Sequence, residues 1–152
     1  MKVRFSLYAV LAGCLAIVPF AQHAATQQRG PLTVTRLYTG PDGQTHAQDI
    51  ELKLLPRQGA QLQDQSEVFK AAGGRFVRAA PGFFEDWHHP ERRQYLITLS
   101  GHGEIEVAGG QKVQLLPGRI LLVEDTSGKG HRTRTIGSEA RVSVNIPLAD
   151  RC

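Results

Sequence analysis

Residues 82–101 read GFFEDWHHPERRQYLITLSG and join a polar cluster to an apolar segment. The first half holds two adjacent imidazoles, His88 and His89, with arginines close behind them. The second half, residues 95–99, is rich in β-branched and aromatic side chains and ends at Ser-Gly, which is typical of a strand followed by a turn. The stretch therefore predicts a buried strand with candidate ligands at its beginning.

Glycine residues divide the following part of the chain at regular intervals. After Gly101 they recur at 109–110, 118 and 128, so the segments between them have the length of successive antiparallel strands. Most of these segments alternate apolar with polar side chains, whereas residues 120–123 are continuously apolar, as in a strand covered on both faces. The pattern predicts an all-β fold, an antiparallel double-sheet barrel of roughly nine or ten short strands.

The segment before residue 82 has a less regular pattern. Residues 32–38 and 50–55 flank a Gly-Pro-Asp-Gly turn at 40–43, and the second of them alternates apolar with charged side chains. This predicts a pair of strands at the beginning of the domain. Residues 56–66 are polar and rich in glutamine, which predicts a loop, and residues 67–72 fit either one helical turn or a short strand.

The first 25 residues have the layout of a secretory signal peptide. Residues 1–4 are basic, residues 5–20 are apolar apart from one serine, and small residues follow. An apolar run of about 16 residues is short for a membrane span, which needs roughly 20. We therefore predict a signal peptide over residues 1–25 and one exported domain over residues 26–152, periplasmic or secreted, without a membrane span.

The two cysteines leave an alternative location open. Residues 11–14 read Leu-Ala-Gly-Cys and resemble a lipoprotein box, which would anchor the chain through a lipidated Cys14. If the signal peptide is removed, Cys14 leaves with it and only the terminal Cys152 remains, so no intramolecular disulfide is expected. Cys152 could pair with a second chain, and a homodimer is therefore left open.

The charge of the chain does not predict nucleic-acid binding. The net charge is +4, with 18 Lys and Arg residues against 14 Asp and Glu, but Lys2 and Arg4 belong to the predicted signal peptide. The exported domain keeps a charge of only about +2, which is no electrostatic footprint for a nucleic acid.

The spacing within residues 82–101 resembles the first motif of the cupins, small jelly-roll barrels that usually hold a metal in the barrel mouth. That motif is Gly, five residues, His-x-His, three or four residues, Glu, six residues, Gly. The positions that fall on this spacing are Gly82, His88, Gln94 and Gly101. Pro90 stands at the second His position, and Gln94 stands where Glu is expected.

The second cupin motif ends in Pro-x-Gly-x-x-His, and residues 126–131 match it at Gly128 and His131, with Thr126 in place of proline. The wider pattern of residues 87–95 and 123–134 resembles small, single-domain, cupin-2-like bacterial proteins. This resemblance covers most of the chain after residue 26 and implies a jelly-roll barrel with a pocket for a small molecule.

Carried over position by position, the resemblance implies a metal site of His88, Gln94 and His131, with His89 as an alternative ligand. An even separation puts His88 and Gln94 on one side of an ideal strand, whereas His89 points away. A glutamine amide offsets no metal charge, so affinity for the metal is expected to be weak, and imidazole suits Fe, Mn, Ni, Cu and Zn alike. The alternative is a neutral, hydrogen-bonded cluster that lines the pocket.

Arginine and aromatic side chains near these positions favour an anionic ligand, because guanidinium groups bind carboxylates in a bidentate manner. The ligand-binding candidates are Trp87, Arg93, Tyr95 and Arg132. For Arg132 and Arg134 the alternative is that they point out of the pocket, where they are solvated or pair with Glu124 and Asp125.

Two functional classes remain after these observations. The first is a metal-dependent enzyme that acts on a small, anionic molecule by oxygenation, isomerisation or lyase chemistry. The second is a binding or sensing module with a similar pocket and no turnover. The fold does not choose between them, since one fold hosts many functions. The missing carboxylate at position 94 argues against an ordinary cupin enzyme.

Overall fold

A computed structural model describes residues 30–59 and 63–149 of the chain. The predicted signal peptide at 1–25, with the lipoprotein alternative at Cys14, and the terminal Cys152 lie outside these residues. The strands within the described residues are β1 Thr33–Thr39, β2 Thr45–Glu51, β3 Leu55–Pro56, β4 Asp64–Gln65, β5 Arg75–Ala79, β6 Phe84–His88, β7 Gln94–Ser100, β8 His102–Glu106, β9 Lys112–Leu115, β10 Ile120–Glu124, β11 His131–Ile136 and β12 Arg141–Pro147. The remaining regular element is one 3₁₀ turn, Ala108–Gly110.

Ten of these strands form two sheets. The larger sheet has the order β2-β1-β10-β7-β12-β5, and the smaller sheet has the order β6-β11-β8-β9. The short β3 and β4 pair only with each other. All pairs are antiparallel except β1 with β10, which is parallel. The predicted double-sheet, all-β barrel is therefore confirmed, whereas a purely antiparallel sheet was wrong at this one pair.

The hydrophobic core lies between the two sheets. Leu37, Leu96 and Leu121 from the larger sheet pack in one buried cluster with residues of the smaller sheet, among them Ile105 and Leu115. Each of these side chains projects from the inward face of its strand, since successive residues of a strand point to opposite faces. Residues 104–107 and 112–115 alternate polar with apolar side chains in the sequence, and in the structure apolar members such as Ile105 and Leu115 face the core.

β2 begins and ends earlier than the sequence predicts, at Thr45–Glu51 and not at 50–55. The tight turn before it, in which the Gly43 N–H donates to the Gly40 carbonyl at 3.0 Å, sets the register of the hairpin. In this register β1 pairs along its whole length with residues 45–51. The apolar alternation after residue 50 therefore continues beyond the strand, where Leu52 packs on the outer side of the larger sheet.

The segment between β2 and β5 has little regular structure. The sequence predicts a loop over residues 56–66, whereas the structure has the two-residue strands β3 and β4 near the two ends of this segment. Residues 67–72 are neither a helical turn nor a strand, because their regular pairing is a single bridge between Ala71 and Leu148. Within residues 30–59 and 63–149, the chain has no helix that is long and apolar enough to cross a membrane.

The outer face of the smaller sheet is polar and held by cross-strand charge pairs. Glu104 on β8 accepts hydrogen bonds from Gln114 and Arg134 on the neighbouring strands, and Lys112 lies 3.3 Å from the same carboxylate. Burial of the Glu104 carboxylate would raise its pKa, but these three partners outweigh burial and lower the pKa to about 2. The network stays ionised at neutral pH and keeps this face in water, so the opposite face of the sheet forms the core.

Candidate functional site

A cavity of about 510 Å³ lies between the two sheets, next to the core. This volume is within the usual range for small-molecule sites. Part of the lining is apolar, from Val77, Ala79, Leu96, Ile105 and Val123. The three residues that the resemblance assigns to a metal, His88, Gln94 and His131, line the same cavity, and so does His89.

His131 is the most firmly held of these side chains. It is the first residue of β11, and its Nδ1 lies 2.7 Å from Oδ2 of Asp125, a residue with no solvent exposure. The Thr45 hydroxyl donates to the same oxygen at 2.9 Å. In the neutral ring, a carboxylate that accepts the Nδ1 proton leaves a lone pair on the Nε2 of His131. This nitrogen can accept a hydrogen bond, bind a metal or take a proton.

His88 has a similar arrangement. It is the last residue of β6 and pairs in register with His131. Its Nδ1 donates to the backbone carbonyl of Asp86 at 2.7 Å, and its Nε2 lies 3.3 Å from the Glu85 carboxylate. The two imidazole rings meet edge to face with their centroids 4.5 Å apart. The neighbouring strands β6 and β11 therefore bring two fixed imidazoles together.

The other two predicted ligands lie at the same end of the cavity. Gln94 is the first residue of β7, where it pairs with Val123 and is half-buried. His89 follows the end of β6. Outside a strand, successive side chains need not point to opposite faces, so His89 can point to the same side as His88. This is why His89 lines the cavity together with His88.

The donor set fits a metal at two positions and lacks a third. Ligating histidines usually have one ring nitrogen held by a hydrogen bond, as the Nδ1 atoms of His88 and His131 are, although the Nε2 of His88 already lies beside the Glu85 carboxylate. Among the described residues, however, no group of three His, Cys, Asp or Glu side chains could hold a metal ion. Gln94 would have to complete the set as a neutral ligand, and its role as a ligand stays a prediction.

Two of the four ligand-binding candidates lie on the other face of the smaller sheet's strands. Arg132 donates to Glu106, which is its cross-strand partner on β8. Trp87 lies between two cations, with Lys129 Nζ 3.9 Å and Arg132 Cζ 4.8 Å from the ring centroid. Neither Trp87 nor Arg132 lines the cavity. Their part in ligand binding stays a prediction that this geometry does not favour.

The other two candidates also lie away from the cavity. Arg93 donates to Glu124, whose second oxygen accepts from Arg36 at 2.6 Å. Burial of the Glu124 carboxylate would raise its pKa, but the two arginines lower it. Tyr95 packs on the outer side of the larger sheet, with its ring 5.0 Å from that of Phe69. Arg93 and Tyr95 therefore stabilise the outside of the barrel in this structure.

Sequence reasoning missed the polar residues of β12. Arg141, Ser143 and Asn145 line the cavity, whereas the valines between them point to the other side of the sheet. The alternation itself was visible in the sequence, and the unusual feature is that the polar face is the inner one. Arg141 is the most buried charged group of this face, with 4% of its surface exposed.

No protein-family model matches the chain, and no curated protein matches it. Among solved structures it is similar to a cupin 2 conserved barrel domain protein from Salinispora arenicola, at 18% identity and a TM-score of 0.42, over 50% of this chain and 61% of that one. It is similar to a cupin-2 domain containing protein from Shewanella frigidimarina, at 16% identity and a TM-score of 0.40, over 58% and 86%. It is also similar to the cupin domain of Cnp3 from Schizosaccharomyces pombe, at 13% identity and a TM-score of 0.42, over 80% and 86%.

The chain spans less than two thirds of the length of the Salinispora arenicola protein. At these identities and TM-scores the similarity extends to no activity, ligand or partner. The motif spacing at residues 82–101 and 126–131 resembles that of the cupins, and the two facing sheets form a double-sheet β-barrel.

Proposed function

We propose that this protein binds a small organic molecule in the cavity between its two sheets and presents His88 and His131 to it. The observation that carries the proposal is the cavity of about 510 Å³, whose lining joins apolar side chains to a small number of polar groups. The signal-peptide pattern of residues 1–25 supports a role outside the cytoplasm.

The chemistry of the polar lining supports recognition of a polar ligand. With its Nδ1 proton held by Asp125, His131 offers a hydrogen-bond acceptor at Nε2. Ser143, Thr133 and Asn145 add groups that can donate or accept. A binding module needs no more than this arrangement. An enzyme would use the same His131 nitrogen to accept a proton from the bound molecule, so turnover of a bound ligand is what separates the two classes.

A matched pair of variants on one strand tests the binding proposal. Ser143→Leu adds carbon atoms inside the cavity, whereas Val144→Leu adds one on the opposite face of β12. In a nuclear magnetic resonance screen of small neutral, cationic and anionic molecules, we expect hits to shift the backbone amide signals of Val77, Thr133 and Ser143. Ser143→Leu should weaken these hits about tenfold or more, since it removes the space they occupy.

Val144→Leu should leave the affinities unchanged. The proposal is overturned if no molecule in the screen shifts the cavity signals, or if both variants bind as well as the wild type does.

A second candidate function is weak binding of a divalent transition metal. The specific observation in its favour is that both rings, His88 and His131, have Nδ1 held by an acceptor, which leaves Nε2 as the nitrogen that would bind a metal. At His88 the metal would have to replace the contact of Nε2 with the Glu85 carboxylate at 3.3 Å. Bound there, a metal would supply Lewis acidity next to the cavity. A neutral set of His88, His131 and Gln94 cannot offset its charge, which supports weak binding.

Metal content measured by elemental analysis tests this candidate, after dialysis of the protein against Fe, Mn, Ni, Cu or Zn. We expect about one ion per chain in the wild type, none in His88→Ala or His131→Ala, and tighter binding in Gln94→Glu, which adds a negative ligand. His102→Ala is the control, because His102 contacts Gln114 on the outer face of the smaller sheet. Equal metal content in the wild type and His131→Ala would reject the site.

A further inference from the structure

Arg141 is a buried cation at one end of the cavity. It is the first residue of β12, only 4% of its surface is exposed, and its side chain contributes to the cavity lining. The side chain passes over Gly103, where a Cβ atom would lie 2.6 Å from Cδ and 2.8 Å from Nε of Arg141. Any larger residue at position 103 would fill the space that this side chain occupies. The fold therefore provides a specific place for the guanidinium group.

No residue within 30–59 and 63–149 satisfies this group. The Nε and Nη1 atoms of Arg141 are buried, and neither has a hydrogen-bond partner there. The acidic residues of the lining are Glu85, which lies beside the Nε2 of His88, and Glu91, and neither forms an ion pair with Arg141. Burial lowers the pKa of Arg141, because the charged guanidinium loses its water. A buried charge without a partner is strongly destabilising, and arginine stays protonated in proteins.

The other partly buried arginines of the barrel differ from Arg141 in this respect. The ion pairs are Arg36 and Arg93 with Glu124, Arg132 with Glu106, and Arg134 with Glu104. Each of these pairs lies outside the cavity. Each of these four arginines thus has a carboxylate partner, whereas the buried arginine of the cavity has none, which is the arrangement expected where a ligand supplies the carboxylate.

We propose that the molecule bound in the cavity carries a carboxylate, and that this carboxylate pairs with Arg141. The inference rests on the proposed function, since it requires that the cavity binds a small molecule. A guanidinium fork matches the two oxygens of a carboxylate in a bidentate manner. Arg75 and Arg78 also line the cavity but are exposed, so among the described residues Arg141 is the buried cation of the lining. The apolar lining at Val77, Ala79 and Leu96 suits an organic body better than an inorganic anion.

The cavity also bounds the length of this molecule. Arg141 and Asn145 both line it and are four residues apart on β12, which corresponds to about 13 Å along the strand. A carboxylic acid with a body of several carbon atoms fits this length. Its carboxylate would lie at the Arg141 end, and its other end would lie towards Asn145 and Gln94, which border the cavity at the end of β12 opposite Arg141.

Calorimetric titration with matched acids and amides tests the proposal. The probes are hexanoate with hexanamide and benzoate with benzamide, and each pair has nearly the same shape but differs in charge. We expect the wild type to bind each acid about tenfold or more tightly than its amide, because a charge-assisted hydrogen bond is stronger than a neutral one. Arg141→Gln should lose this preference, and Arg141→Lys should keep part of it.

Arg57→Gln is the control, because this substitution removes the same charge outside the cavity lining. Arg57 is exposed and donates a hydrogen bond to Gln63. If Arg141→Gln does not fold, the wild type still decides the matter: hexanoate should shift the side-chain Nε–H signal of Arg141 in a nuclear magnetic resonance spectrum, and hexanamide should not.

The outcomes separate the two proposals. Equal binding of acids and amides inside the cavity would overturn the role of Arg141 and leave small-molecule binding intact. Inorganic phosphate that binds as tightly as the acids would overturn the assignment to a carboxylate. No binding of any acid or amide in the cavity would overturn both.

Discussion

Gly130→Ala is expected to lower the free energy of unfolding by about 3 kcal/mol or more, the sum of a left-handed backbone penalty and overpacking against a rigid neighbour. Gly130 precedes β11 and has a φ of +75°, a region that side chains with a Cβ rarely adopt. A Cβ there would lie 1.9 Å from the carbonyl oxygen of His88 and 2.4 Å from its carbonyl carbon. Both are backbone atoms, so the end of β6 would have to move.

The change should also disturb the two imidazoles, because the displaced residue is His88 itself. Urea denaturation gives the loss of stability, and nuclear magnetic resonance signals of the His88 and His131 rings report their contact. Gly137→Ala is the matched control: its φ is +81°, and nothing lies within 4 Å of an added Cβ. It should lose only the backbone penalty, about 1–2 kcal/mol. Equal losses in the two variants would show that the contact with His88 is unimportant.

Asp125→Ala is expected to lower the free energy of unfolding by about 2–4 kcal/mol, because each buried donor left without an acceptor costs roughly 1–3 kcal/mol. Two donors are affected, the Thr45 hydroxyl and the Nδ1–H of His131, and both reach the same carboxylate oxygen. Their residues are 0% and 5% exposed, so water does not easily replace the lost acceptor. The His131 ring should lose its fixed orientation together with this stability.

Chemical denaturation measures the loss of unfolding free energy. Nitrogen chemical shifts of the His131 ring report its tautomer, and we expect a mixture of the two neutral tautomers in the variant in place of one. Asp86→Ala is the control. It removes an exposed carboxylate from the neighbouring strand, and the contact of Asp86 with His88 uses its backbone carbonyl. We expect a change within about 0.5 kcal/mol for it, as for most surface substitutions. Wild-type stability and an unchanged ring in Asp125→Ala would contradict the interpretation.

The motif positions in the sequence pointed to residues that lie together in the structure. His88, Gln94 and His131 were predicted to share a pocket, and the structure brings all three to one cavity. The argument from an even separation on one strand was wrong, because His88 ends β6 and Gln94 begins β7. The motif positions identified these residues, whereas the pairing of β6 with β11 that brings His88 to His131 is a tertiary contact.

The partners of charged residues were predicted less well. The outward alternative for Arg132 and Arg134 named Glu124 and Asp125 as partners, whereas the observed partners are Glu106 and Glu104. The reason is the pairing of β11 with β8, which places each arginine directly opposite a glutamate. Opposite charges in register across a ladder attract each other, and nothing in a single strand reveals that register.

The sequence by itself determined that this chain forms strands, where most of them lie, and that β12 alternates apolar with polar side chains, because these properties belong to the backbone of one segment. Only the tertiary structure decided which face of β12 is covered, and so that Arg141 is buried in a cavity while the valines beside it point outward. The same holds for Asp125, which touches Thr45 across 80 residues of chain. Burial and pairing depend on what the opposite sheet brings into contact, and that contact exists only after the two sheets have closed.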